Sequence, residues 1–253
     1  VKNTRRLVSL AAAVAAATLA SVAPASAKTL RSTNCGTGAN GSAGYAYAGH
    51  QGTVKAFGVR ATITQTAAPV VAAGHVAGWV GVGGPGQGPG GETEWVQTGL
   101  ATMPDTGTQV YAEITAPGQD PEYHVLLDNV QVGEAHEVAV LEVAGKAEWW
   151  RVWLDGKPAT DPVFLPGSHK RWEPIATAES YNNQQPVCNT FGYRFDKVNI
   201  ATSQGGTWKP FTPGYDFLDQ GFAVRQIRPL TGTNRTPASD PLNAYAFDAV
   251  SSA

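Results

Sequence analysis

Short alternations of apolar and polar residues run along most of the chain. Residues 59–65, Val-Arg-Ala-Thr-Ile-Thr-Gln, place every second side chain apolar, the period of a strand with one face in a core. The same period recurs at 109–115, 123–127, 134–143 and 148–154. In 134–143, His136, Val138, Val140 and Glu142 share one side. In 148–154, Trp150, Val152 and Leu154 face one way, while Trp149, Arg151 and Trp153 face the other. Residues 162–166 are bounded by prolines and belong at a sheet edge. Further strands are expected at 172–181, at 191–195 continuing through 197–201, and at 208–211. Residues 67–76 read as an Ala/Val connection, and Asp155-Gly156 as a tight turn. No helical period appears after residue 27. Many short strands with frequent turn signals predict an all-β fold, a two-sheet sandwich or a barrel.

The stretch 78–99 organises the rest. A short apolar run, Gly78-Trp79-Val80-Gly81-Val82, enters a glycine-rich loop at 83–91. The chain returns through Glu94-Trp95-Val96-Gln97-Thr98-Gly99. Two strands joined by a long loop follow from this pattern, and loops of this kind are often functional. Gln97 stands on the returning strand as an uncharged donor and acceptor.

The first 27 residues have the pattern of a signal peptide. Lys2, Arg5 and Arg6 precede an Ala/Val/Leu run, and Ala25-Ser26-Ala27 is a small-residue cleavage site. A secreted, extracellular protein is expected, without a membrane span. Residues 28–53 read as an irregular N-terminal arm, and 54–253 as one β-sandwich domain with an irregular C-terminal segment. Three of the 18 basic residues and none of the 20 acidic ones fall in the leader, so the remainder carries a net charge of −5. That balance argues against a nucleic-acid partner. In an oxidising compartment Cys35 and Cys188 are expected to pair. A monomer is expected.

Most familiar catalytic signatures are missing. There is no GxSxG elbow, no HExxH or CxxC, and no calcium-type loop. The histidines at 50, 75, 124, 136 and 169 are scattered. No metal or cofactor is expected. Glutamates at 113, 134, 137, 142, 148, 173 and 179 lie in or near strands, so a glycosidase-type carboxylate pair stays open.

The order of several short motifs resembles the eqolisins, the secreted glutamic peptidases. The likeness runs through Trp79-Val80-Gly81, Gln97-Thr98-Gly99, Tyr111-Ala112-Glu113 with Pro117 beyond it, Gly133-Glu134 and Ala178-Glu179. It implies a concanavalin-like, jelly-roll type antiparallel sandwich and a Gln97/Glu179 dyad acting on a polypeptide substrate. Trp79, Trp95, Tyr111 and Glu113 would line the substrate cleft. Where the family carries Trp after its glutamate, this chain has Ser180, and a second Ala-Glu-Trp stands at 147–149. By wording Glu148 is the better match; by order and spacing Glu179 is. In such a dyad the carboxylate takes a proton from an attacking water, and the amide holds the oxygen that becomes negative. An acidic working pH is expected. The rival reading is a non-catalytic sandwich that binds carbohydrate or peptide on an aromatic-rich groove.

Overall fold

A computed structural model describes residues 44–227 and 245–251. Strands are numbered β1 to β16 in chain order. One seven-stranded sheet runs β14 (Pro213–Leu218), β1 (Tyr45–Gly52), β11 (Pro174–Tyr181), β3 (His75–Gly84), β4 (Glu94–Thr102), β5 (Thr108–Thr115) and β6 (Glu122–Val130). The second sheet runs β10 (Val163–Phe164), β8 (Trp149–Leu154), β7 (Ala135–Glu142), β2 (Gly58–Val70), β12 (Thr190–Ala201), β16 (Phe247–Ser251) and β15 (Phe222–Gln226). On its flanks β13 (Trp208–Pro210) pairs with β12, and β9 (Lys157–Pro158) pairs with β8. Every pairing is antiparallel. The expected two-sheet, concanavalin-like β-sandwich is the observed architecture.

The core lies between the sheets and follows the period of two. The seven-stranded sheet sends in Val76, Val80, Val96, Leu100, Val110, Ala112, Ala176 and Ala178. The other sheet answers with Val59, Ile63, Val138, Val140, Val152, Tyr193, Phe195 and Phe247. Trp150 and Trp172 pack together with ring centroids 5.7 Å apart, and the Trp150 indole donates to Ser168 Oγ at 2.8 Å. Gly78 faces the same core. A Cβ there would come 2.7 Å from the Tyr193 ring, so the tyrosine lies flat on bare backbone.

The structure differs from the sequence reading in three places. Residues 45–52, assigned to the irregular arm, form β1, with Ala46 and Ala48 inward and Tyr45 and Tyr47 outward. Most of the 67–76 connection is strand: β2 runs to Val70 and β3 begins at His75. The C-terminal segment, expected to be irregular, supplies β14, β15 and β16. The leader and Cys35 lie outside the described residues, so the secretion signal and the Cys35–Cys188 pairing do too.

Candidate functional site

Side chains alternate across a sheet, so everything that does not enter the core stands on the outer face. On the seven-stranded sheet, register arranges that face in rows. One row reads Tyr47, Glu179, Ala77, Ala101, Gln109. The next reads Phe217, Gly49, Thr177, Trp79, Gly99, Tyr111, Val125. A third reads Tyr215, Gln51, Ile175, Gly81, Gln97, Glu113, Tyr123. The predicted Gln97, Glu179, Trp79, Tyr111 and Glu113 therefore share one face, and Trp95 joins them one row further on, opposite Thr115.

The middle of this face has a low floor and tall walls. Ala77, Gly81, Gly99 and Ala101 supply almost no side chain. Trp79, Tyr111, Ala77 and Ala101 form a second apolar cluster outside the main core, with Tyr47, Tyr123 and Ile175 packed against it. Trp79 is only 8% exposed and Tyr111 only 2% although both point away from the core. Gly99 sits between them, and a Cβ there would lie 2.0 Å from Gly78 O and 2.6 Å from Trp79 Cα.

Glu179 is 7% exposed and is gripped from the neighbouring strand. Its cross-strand partner is Ala77, whose methyl leaves space above it. The residues two before and two after, His75 and Trp79, reach the carboxylate diagonally. His75 Nε2 lies 2.8 Å from Oε1, and the Trp79 indole N–H donates to Oε2 at 3.3 Å. Tyr47 is the cross-strand partner of Glu179 on β1, and burial followed by the Glu179 charge raises its phenol well above the ordinary value. The His75 imidazole also meets Tyr181, which stacks on Tyr45 at 4.4 Å.

Gln97 is half-buried, and its amide donates to the Tyr111 hydroxyl at 3.2 Å. Directly opposite on β5 stands Glu113, whose Oε1 accepts the Trp95 indole N–H at 3.2 Å. Burial, and then the negative charge of Glu179, push the Glu113 carboxyl up to about 7; His75 and the Trp95 bond pull the other way. Burial first, then the nearby carboxylates, raises the Tyr111 phenol well above its ordinary value. Its hydroxyl thus stays neutral.

Gln97 and Glu179 do not hydrogen-bond each other. Glu179 is on β11 and Gln97 on β4, with β3 between and an offset of two rows. Their Cα atoms are roughly 16 Å apart on a flat sheet, from about 4.8 Å between strands and about 3.3 Å per residue. Trp79 and Tyr111 occupy the row between them and touch one member each. Beyond the Gln97 row, towards the glycine loop, a depression of about 170 Å³ is lined by Gln51, Gly83, Gln87, Trp172, Glu173 and Ile175. Among the described residues no group of three or more His, Cys, Asp or Glu side chains is placed to hold a metal ion.

Glu148, the alternate acid, lies elsewhere. It sits in the loop between β7 and β8 with φ of 68°, and its Oε1 accepts the Gly167 N–H at 2.7 Å. Nothing on the seven-stranded sheet's outer face includes it. His75 and Tyr47 were missed in the sequence. The signal available for His75 was its spacing, His75-x-Ala77-x-Trp79, which puts three residues on one face of one strand.

No family profile matches the chain, and no curated protein matches it by sequence. Among solved structures, scytalido-glutamic peptidase with a peptide-based transition-state analogue superposes with a TM-score of 0.50. The identity is 12%, over 82% of this chain and 98% of that one. SCP-B, described as a member of the eqolisin family and bound to the tripeptide Ala-Ile-His, gives a TM-score of 0.46. Its identity is 13%, over 83% of this chain and 98% of that one. At this identity the likeness concerns architecture alone: the chain shares its two-sheet β-sandwich with a glutamic peptidase.

Proposed function

We propose that the chain is a secreted, eqolisin-like acid endopeptidase in which Glu179 and Gln97 activate water against a peptide carbonyl. Glu179 takes a proton from the water as its oxygen bonds to the carbonyl carbon. The Gln97 amide is to donate to the oxygen as it becomes negative, which requires the Gln97 and Glu179 side chains to lean together over the Trp79 and Tyr111 rings that stand between them. Glu179 then returns the proton to the leaving nitrogen as the C–N bond breaks. The observation that carries this reading is the Glu179 carboxylate itself. It is almost buried on an outward face, and its two oxygens are held by His75 and Trp79. A solvated strand residue has no need of such a cradle; a base that must hold one orientation does. The depression of about 170 Å³ towards the glycine loop lies on the same side of the sheet and offers a place for part of an extended backbone.

The test is digestion of an unfolded protein between pH 2 and 8 by the wild type, Gln97→Ala and Glu179→Gln. The wild type should cleave in acid, and both variants should lose at least about 10²-fold in rate, the usual cost of deleting an acid–base group or an oxyanion donor. Equal cleavage by all three removes the dyad. A second reading is favoured by the row of rings beside Glu179. Tyr181, Tyr45, Tyr47 and Phe217 follow one another at 4.4, 6.2 and 6.1 Å between centroids, a surface on which sugar rings stack. Saturable binding of a polysaccharide together with no proteolysis would select it.

A further inference from the structure

We propose that Glu113 is a third catalytic residue, whose carboxyl O–H donates a hydrogen bond to the same substrate oxygen that Gln97 holds. This rests on the peptidase reading above and extends it. Glu113 is the directly opposed cross-strand partner of Gln97. Such partners have Cβ atoms about 5 Å apart and point the same way. A side-chain amide and a carboxyl thus rise from adjacent positions of the same row, beside Gly81 and one row from Gly99.

The carboxyl is oriented as well as placed. The Trp95 indole N–H occupies Oε1, which fixes that oxygen as the acceptor and leaves Oε2 to carry the proton. Tyr123 is the cross-strand partner of Glu113 on β6 and stacks on Tyr111 at 5.1 Å, so that side of the carboxyl is walled by rings. The groups facing it are Gln97 and Trp95 from β4, Tyr123 from β6, Tyr111 on its own strand, Tyr45 from β1, His75 from β3 and Glu179 from β11. Of the charges that act on it, Glu179 favours the proton and His75 opposes it. With burial added, the acid form persists up to about pH 7. A carboxylic acid kept neutral by its site is a stronger hydrogen-bond donor than an amide, and an oxyanion is where such a donor acts. The two glutamates then divide the work: Glu179 moves the proton of the water, and Glu113 keeps its own.

The test is kcat and KM against pH on a soluble peptide, for the wild type, Glu113→Gln, Glu113→Met and Glu179→Gln, with circular dichroism to check each fold. Glutamine keeps a donor and the acceptor for Trp95 but cannot ionise. The wild type should lose activity as pH rises through about 7. Glu113→Gln should stay within a few-fold of it at pH 5 and lack that decline. Glu113→Met should lose on the order of 10²-fold in kcat with little change in KM, the effect of removing one oxyanion donor. A Glu113→Gln profile that falls together with the wild type overturns the proposal, as does a folded Glu113→Met with wild-type kcat. If Glu179→Gln is inactive while Glu113→Met is not, only this inference fails. If the wild type does not cleave, or Glu179→Gln cleaves equally well, the peptidase reading fails and this inference falls with it.

Discussion

Glu94 is a buried carboxyl away from the proposed chemistry, and its titration should be visible in the stability of the whole protein. It is the first residue of β4, on the inward side, with 0% exposure. Neither of its oxygens has a hydrogen-bond partner among the described residues. Gly88 of the loop lies against it, and a Cβ there would come 3.2 Å from Oε2. Burial, then the negative charge of Glu148, then that of Glu92, favour the neutral form, and Arg171 opposes them. The carboxyl is moved from 4.5 to about 7. At about 1.4 kcal/mol per pH unit, ionising it in the folded state costs on the order of 3 kcal/mol.

The sign follows from proton counts. Between 4.5 and about 7 the unfolded chain has released the proton that the folded chain still holds, so stability falls as pH rises through that window. The contribution is complete below 4.5 and lost above about 7. Glu94→Gln removes the titration and leaves a neutral amide of nearly the same shape. Urea unfolding followed by tryptophan fluorescence at intervals from pH 4 to 8 measures the difference. The variant should match the wild type near pH 4 and exceed it by about 3 kcal/mol at pH 8, or roughly 6–12 °C in Tm at about 2–4 °C per kcal/mol. Glu113 titrates in both proteins and cancels. Two curves that stay parallel across the range would refute the idea that Glu94 keeps its proton in the fold.

Two further outcomes are expected. Gly99→Ala puts a methyl into the Gly78 carbonyl and the Trp79 backbone; it should cost at least about 2 kcal/mol in urea unfolding, as overpacking does, and a loss below 0.5 kcal/mol would show that β3 and β4 can part there. His75→Ala leaves the Trp79 indole alone to hold the Glu179 carboxylate. On the peptidase reading, kcat should fall on the order of 10²-fold with KM little changed, the cost of a base out of position, and unchanged kcat would make His75 a packing residue only.

Most of the fold was legible because a half-buried strand writes its period into the sequence. The alternations at 59–65, 109–115, 134–143 and 148–154 became β2, β5, β7 and β8, and the glycine loop became the β3–β4 connection. β1 was hidden by composition. Its inward residues are Ala46 and Ala48, too small to stand out against the Gly, Ala and Ser around them, yet they pack because β11 offers Ala176 and Ala178 beside them. His75 was hidden for a different reason. Its partner is 104 residues away, and only the pairing of β3 with β11 brings the two together. Glu94 carried a usable signal: the parity that sends Val96 and Leu100 inward sends Glu94 inward too. Glu179 and Glu148 carry similar local words, yet one stands on a sheet face and the other in a loop, a difference that only topology reveals.

The proposed site inherits its geometry from the core beneath it. Its residues occupy alternate positions on five strands: 45 and 47 on β1; 75, 77 and 79 on β3; 95, 97 and 99 on β4; 111 and 113 on β5; 179 on β11. Of the positions next to them, Ala46, Val76, Val96, Ala112 and Ala178 belong to the main core. A one-residue slip of β4 would carry Gln97 inward and turn Val96 out to solvent. Burial of those small aliphatic residues therefore fixes which side chains face outward and in which row they stand. Glu179 needs Ala77 opposite it and His75 and Trp79 on either diagonal, and one register supplies all three. The arrangement of the carboxylate, the amide and the second carboxyl is thus a consequence of hydrophobic packing on the opposite face of the same sheet.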